Sequence, residues 1–135
     1  MTLRIDPVDV PGWPRPSGYN NGIVVTGASK LLFVAGQIGW DETRKIVSND
    51  FIAQFRKALE NVAAVVRAGG GEPASIVRLT IYVTNKKEYV DNLSSVGREY
   101  RAVMGKAYPA MSLVQVADLL ETGAKVEIEA TAVIG

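Results

Sequence analysis

A chain of 135 residues is long enough for one domain and one core, and 47% hydrophobic against 21% charged residues places it with folded globular proteins. Its 15 basic and 14 acidic side chains nearly cancel, and no basic run exceeds Lys86-Lys87, so the clustered cations that hold a phosphate backbone are missing and nucleic acid is not an expected partner. Cys and His are both absent. That excludes disulfides, thiolate nucleophiles, imidazole bases and Cys/His ligation of zinc or haem, and leaves any chemistry to carboxylates, hydroxyls, Lys, Arg, backbone groups and water.

The start, Met1-Thr2-Leu3-Arg4-Ile5-Asp6, lacks the pattern of a secretory leader, and no apolar run approaches the length of a membrane span. The expectation is a cytoplasmic protein that meets no membrane. No acidic loop of the kind that binds calcium occurs either, so no metal site is expected.

In chain order, Pro7, Pro11, Pro14 and Pro16 discourage helix, and residues 1–16 read as a proline-rich N-terminal arm that runs extended over a surface. Asn21-Gly22 marks a turn. Two β-rich runs follow, Gly22 to Gly27 and Leu31 to Ile38, and the short break between them predicts a hairpin. The second run is almost continuously apolar, as a central strand covered on both faces would be. Gly36 and Gly39 flank Gln37 and Ile38, which fits either a close approach by another group or a bulge at the strand exit.

Asn49 or Asp50 caps the clearest helix, where Phe51, Phe55, Ala58, Leu59, Val62, Val65 and Val66 recur at spacings of three and four. Gly69-Gly70-Gly71 ends it; the run follows a helix and no Lys-Ser/Thr comes after, so it reads as a helix stop and not a phosphate loop. Ser75 to Thr84 predicts a strand with Val77, Leu79, Ile81 and Val83 on its apolar face. A second helix is expected from about Lys87 to Met104, striped by Tyr89, Leu93, Val96, Tyr100 and Val103 and ended by Gly105. Gly97 inside it costs up to about 1 kcal/mol relative to Ala and suggests close packing against a neighbouring element. Asn92-Leu93-Ser94 fits the glycosylation pattern but falls within that helix and is set aside.

The last third predicts two strands, Tyr108 to Ala117 and Lys125 to Ala132. In the second, Val126, Ile128 and Ala130 alternate with Glu127 and Glu129, whose carboxylates then share one face about 6.5 to 7 Å apart. The order β-β-α-β-α-β-β defines an α+β two-layer sandwich in which both helices cover one sheet face. The other face, with Arg78, Thr80, Tyr82, Glu127 and Glu129, is solvated or built into a subunit interface.

Five ordered blocks between Tyr19 and Val133 resemble the Rid family, also called YjgF. They are Leu32 to Ile38, Gln54 to Val62, Val77 to Thr84, Tyr108-Pro109-Ala110, and Val126 to Ala130. The resemblance covers roughly Tyr19 to Val133 and implies a single domain over residues 1–135, with the arm at its start. It implies a chorismate-mutase-like sandwich with a mixed sheet, assembled as a homotrimer that binds a small molecule in clefts between subunits. It also implies hydrolysis of reactive imines and enamines to ammonia and a 2-keto acid, without metal or organic cofactor.

Carried over by position, the resemblance makes Glu127 the carboxylate that orients or activates the attacking water, with a hydrogen-bonded interface role as the alternative. Tyr19 and Gly36 match ligand-binding positions, while Trp40, Met111 and Ser112 complete the expected binding set, Trp40 with a plain packing role as the stronger alternative. Deaminating relatives carry an arginine where this chain has Met111, and a thioether cannot grip a carboxylate through two hydrogen bonds. Three readings follow. The substrate lacks a carboxylate there, another base such as Arg101 or Lys106 substitutes, or the deaminase chemistry is gone. An asparagine of the family falls at Gly97. Binding without turnover is therefore one alternative function, and an endoribonuclease or translation inhibitor another.

Overall fold

The computed structural model describes residues 1–135 and contains six strands and three helices. β1 (Arg4–Val8) pairs with β2 (Gly22–Thr26) in a small antiparallel sheet. The main sheet has the order β3-β6-β4-β5, formed by β3 (Lys30–Ile38), β4 (Ile76–Val83), β5 (Ala110–Gln115) and β6 (Val126–Ile134). It is mixed, since β4 runs parallel to β5 and antiparallel to β6. α1 (Phe51–Ala68) lies across β3 and β6, and α3 (Leu93–Met104) packs beside α1, giving the expected two layers.

α1 forms where its sequence says it should. Asp50 accepts a hydrogen bond from the Ala53 amide at 2.9 Å, satisfying one free donor of the first turn, and the helix stops at Gly69. Its stripe of Phe55, Ala58, Leu59, Val62 and Val66 packs on Leu79, Ile81, Val83, Val126 and Ile128 from the sheet. Burying each of the larger side chains, Ala58 excepted, is worth about 1.5–3 kcal/mol, which makes this layer contact the main stabilising element. Arg56 on α1 binds Glu99 on α3 at 2.8 Å, and that hydrogen bond holds the Glu99 carboxyl below its ordinary range.

Five expectations are corrected. The predicted β2–β3 hairpin does not form, because β2 takes the N-terminal residues as partner and β3 pairs with β6. Gly27 (φ 76°) sits so close to the Thr2 carbonyl that a Cβ would lie 2.5 Å from its oxygen, so the proline-rich arm begins as a strand sealed to β2. β3 is an edge strand, and Leu31 and Phe33 on its outer side are 62% and 73% exposed, so the chain alone covers one face of it. The second helix breaks at Asp91-Asn92, where Asn92 Nδ2 donates to the Glu88 carbonyl at 2.8 Å; α2 (Lys86–Val90) is thereby separated from α3, whose buried stripe is Val96, Tyr100 and Met104. A bulge between Ile76 and Arg78 turns Ile76 into the core in place of Val77. No helix is long and apolar enough to cross a membrane.

Candidate functional site

The two carboxylates of β6 stand on the sheet face that the helices do not cover. Strand register places Glu127 opposite Tyr82 and Glu129 opposite Thr80, while Ile128 pairs with Ile81 on the helix-covered side. Their environments differ. Tyr82 Oη donates to Glu129 at 2.6 Å, and that bond, followed by burial and the charges of Glu129 and Glu127, raises the Tyr82 pKa, so the phenol remains a donor. The Glu127 side chain accepts no hydrogen bond and joins no ion pair within the chain. It lies half-buried across Gly36, where any Cβ would meet its Oε2 at 2.6 Å.

Gly36 thus serves both of the roles its sequence allowed. The β3–β6 register slips between Val34 and Gln37, so the glycine sits in a bulge, and the space left by its missing side chain holds the Glu127 carboxylate. α1 fixes this strand end. Asn61 Nδ2 donates to the carbonyls of Ile38 at 3.0 Å and Trp40 at 2.9 Å, and a Cβ on Gly39 would lie 2.7 Å from Gln54 Cα, so helix and strand touch backbone to backbone. Gln54 is fully buried, donates to the Ser48 and Gly123 carbonyls and accepts from the Lys125 amide at 2.8 Å, tying the entrance of β6 to the same helix. Sequence reading placed Gln54 and Asn61 in a family block without assigning this positioning role. A polar residue inside an apolar helix stripe was the available signal.

Met111 lies elsewhere. It pairs with Leu79 on the helix-covered face, whereas its neighbour Ser112 pairs with Thr80 on the open one. Met111 lines a cavity of about 430 Å³ at the β5 edge, walled by Leu93, Gly97, Tyr100, Arg101 and Tyr108. Ser17 and Gly18 also line it, and the Asn20 amide donates to the Pro109 carbonyl at 3.0 Å, tying this segment to the start of β5, with the exposed Tyr19 between them in sequence. Burial pushes the Tyr100 phenol pKa well up, and its hydroxyl donates to the Ala107 carbonyl. Trp40 follows β3 and stacks its ring with the Arg44 guanidinium, 5.9 Å from centroid to carbon, and it is not among the residues lining the cavity.

The expected site residues therefore fall into two groups. Glu127, Gly36 and Ser112 belong to the open face and Met111 to the helix-covered face, and Tyr19 follows Gly18 of the cavity wall. Two strand spacings, about 10 Å, and the thickness of the sheet separate Glu127 on β6 from the cavity at the β5 edge.

A two-layer α+β sandwich with a mixed sheet and two main helices on one face is a chorismate-mutase-like fold. Matches to known proteins make the assignment specific. The family model described as Endoribonuclease L-PSP matches residues 14–134. A 2-iminobutanoate/2-iminopropanoate deaminase of Salmonella typhimurium is 36% identical over 106 residues, covering 76% of this chain and 79% of that protein. The Rid-family protein YyfB of Yersinia pestis, itself of unknown function, superposes with a TM-score of 0.84 at 28% identity over 96% of this chain and 98% of its own. E. coli TdcF, solved with bound serine, gives a TM-score of 0.67 at 30% identity over 96% and 99%. The chain belongs to the Rid (YjgF) family.

Proposed function

We propose that this protein is a hydrolytic deaminase that acts on a small imine or enamine in a cleft between subunits of a homotrimer. The observation that carries the reading is the contrast between two carboxylates on one strand face. Glu129 is engaged by Tyr82, while Glu127, held over Gly36, keeps its acceptors free for a water molecule. In the reaction, Glu127 takes a proton from water as the water oxygen bonds to the imine carbon. That proton passes to the nitrogen, giving a carbinolamine; Glu127 then relays the hydroxyl proton to the amino group as the C–N bond breaks and the C=O bond forms, and ammonia and a carbonyl product leave.

Two further observations support assembly. Phe33 and Leu31 are exposed apolar residues on a strand whose sequence calls for cover on both faces. The free carboxylate and the Met111 cavity lie on opposite sides of one sheet, so a cleft that uses both takes each from a different copy, as a closed ring of identical chains allows.

Ammonia release from 2-aminoacrylate-type imines generated in situ tests the reading, measured above their spontaneous hydrolysis. The wild type accelerates release, Glu127→Gln lowers the enzymatic rate by about 100-fold or more, and Glu129→Gln retains most of it. Equal rates in wild type and Glu127→Gln would sink the hydrolase. Met111 gives a second reading its footing. If the wild type adds nothing to the background yet is stabilised against unfolding by the product 2-keto acids, the protein binds the metabolite without turning it over.

A further inference from the structure

The small β1–β2 sheet is fastened to the body of the protein at its two ends. At one end the Ser29 amide donates to the Ile134 carbonyl at 2.9 Å, and a Cβ on Gly135 would lie 3.0 Å from Leu3 Cβ. At the other, the Asn20 amide donates to the Pro109 carbonyl at 3.0 Å and the Asn20 side chain donates to the Tyr108 carbonyl. Register puts Ile5, Pro7 and Ile23 on one face of this sheet and the Arg4–Asp6 ion pair on the other. Between the fastenings, those three side chains and Ala74, Ile76 and Met104 of the body line a groove of about 480 Å³. Walls held apart in this way leave apolar surface against water, and a ligand that covers it gains the free energy of burial. Tyr108 is the one residue that lines both this groove and the Met111 cavity, so the two are separate apart from one shared wall.

Lys106, the other base considered from sequence, belongs to the groove and not to the Met111 cavity. It is the one charged side chain of the lining. Its ammonium joins no ion pair, and its backbone N–H, two residues beyond the end of α3, meets no acceptor in the chain.

We infer that this groove is a second ligand site and that it takes a short-chain alkyl phosphate, with the chain along the apolar walls and the phosphate on Lys106. An ammonium is a compact point charge without the planar fork of a guanidinium, so it suits a tetrahedral oxyanion, and the free N–H of the same residue supplies a donor for another oxygen. No acidic side chain lines the groove, so nothing there offsets the charge of Lys106 or would hold a cationic head. The volume lies within the range of small-ligand sites. The inference goes beyond the proposed reaction and does not rest on it.

Calorimetric titration of the full chain with octyl phosphate, 1-octanol and octyltrimethylammonium, each below the concentration at which it aggregates, tests it. The wild type binds octyl phosphate about fivefold more tightly than octanol, the advantage of one exposed cation, and binds the ammonium compound more weakly than octanol. Lys106→Gln brings octyl phosphate level with octanol and leaves octanol unchanged. Ala74→Trp fills the groove from the body side, and Pro7→Glu puts a carboxylate into it from the small sheet. Each lowers octyl phosphate binding by at least about tenfold while circular dichroism shows the fold retained. Gly97→Trp, which fills the Met111 cavity, leaves that binding as in the wild type. Octyl phosphate that binds no better than octanol, a Lys106→Gln variant that binds it unchanged, binding that survives both groove variants, or loss of binding in Gly97→Trp would each overturn the inference. Failure of every probe to bind, the result expected if a second copy of the chain already covers the groove, would overturn it as well.

Discussion

The two faces of the main sheet are finished differently. Under α1, Leu79, Ile81, Val126 and Ile128 are at most 1% exposed, while the opposite face shows Phe33 at 73% exposure beside two glutamates, a tyrosine and an unpaired Arg78. Alternation along a strand decides which side chains share a face, but it does not say what covers that face. On one side the cover is this chain's own helix. On the other the chain supplies an apolar edge and a free carboxylate and nothing to close over them, which is the physical basis for the proposal that a neighbouring copy covers that face.

Substitutions can sharpen the contrast. The largest effect belongs to the covered face, where Leu79→Ala leaves a void under α1 and lowers unfolding free energy by about 2–5 kcal/mol in urea titration. On the open face, Gly36→Ala puts a carbon 2.6 Å from Glu127 Oε2, inside van der Waals contact. The carboxylate is pushed aside and ammonia release falls by about tenfold, with much less change in stability. If Gly36→Ala unfolds the protein as Leu79→Ala does, the glycine serves packing and not the site.

A pH series probes the helix layer. Burial raises the Tyr100 pKa, and Tyr89 is raised for the same reason. In the unfolded chain these phenols ionise near pH 10. Stability is therefore intact below about pH 10 and declines as pH rises beyond it, because the unfolded state gives up protons that the folded state retains. Tyr100→Phe makes that decline shallower, and an unchanged slope would show that the ring is open to solvent. The smallest stability effect is the counterpart of the first. Phe33→Ser changes the unfolding free energy of the isolated chain by only about 0.5 kcal/mol, yet it shifts mass in light scattering toward the monomer.

Local signals carried much of this fold. Asp50, the apolar stripe of α1 and the glycines after Ala68 specify a helix with both ends marked, and the alternation in β6 correctly puts Glu127 and Glu129 on one face. The break between α2 and α3 is local, but the differences at β2 and β3 come from partners that are distant in sequence. β2 looked like half of a local hairpin because its true partner, Arg4–Val8, was hidden in a proline-rich stretch, and only the packing of Gly27 on Thr2 reveals the pairing. The apolar run of β3 predicts a central strand, yet the chain leaves its outer side open. The same limit applies to the site. Period two separates Met111 from Ser112, but that Met111 and residues of α3 line one cavity depends on where the helix sits relative to the sheet, and no spacing within either element encodes that.

The most direct test is complementation between two inactive variants. Glu127→Gln removes the open-face carboxylate, and Gly97→Trp fills the cavity on the other face. The two purified proteins are dissociated, mixed in equal amounts and allowed to reassemble. If each cleft takes its carboxylate and its cavity from different copies, random assembly restores both intact halves in about a quarter of the clefts, and ammonia release returns to about a quarter of the wild-type rate. Release that stays at the level of the separate variants, with mixed oligomers shown to have formed, would contradict a site shared between subunits.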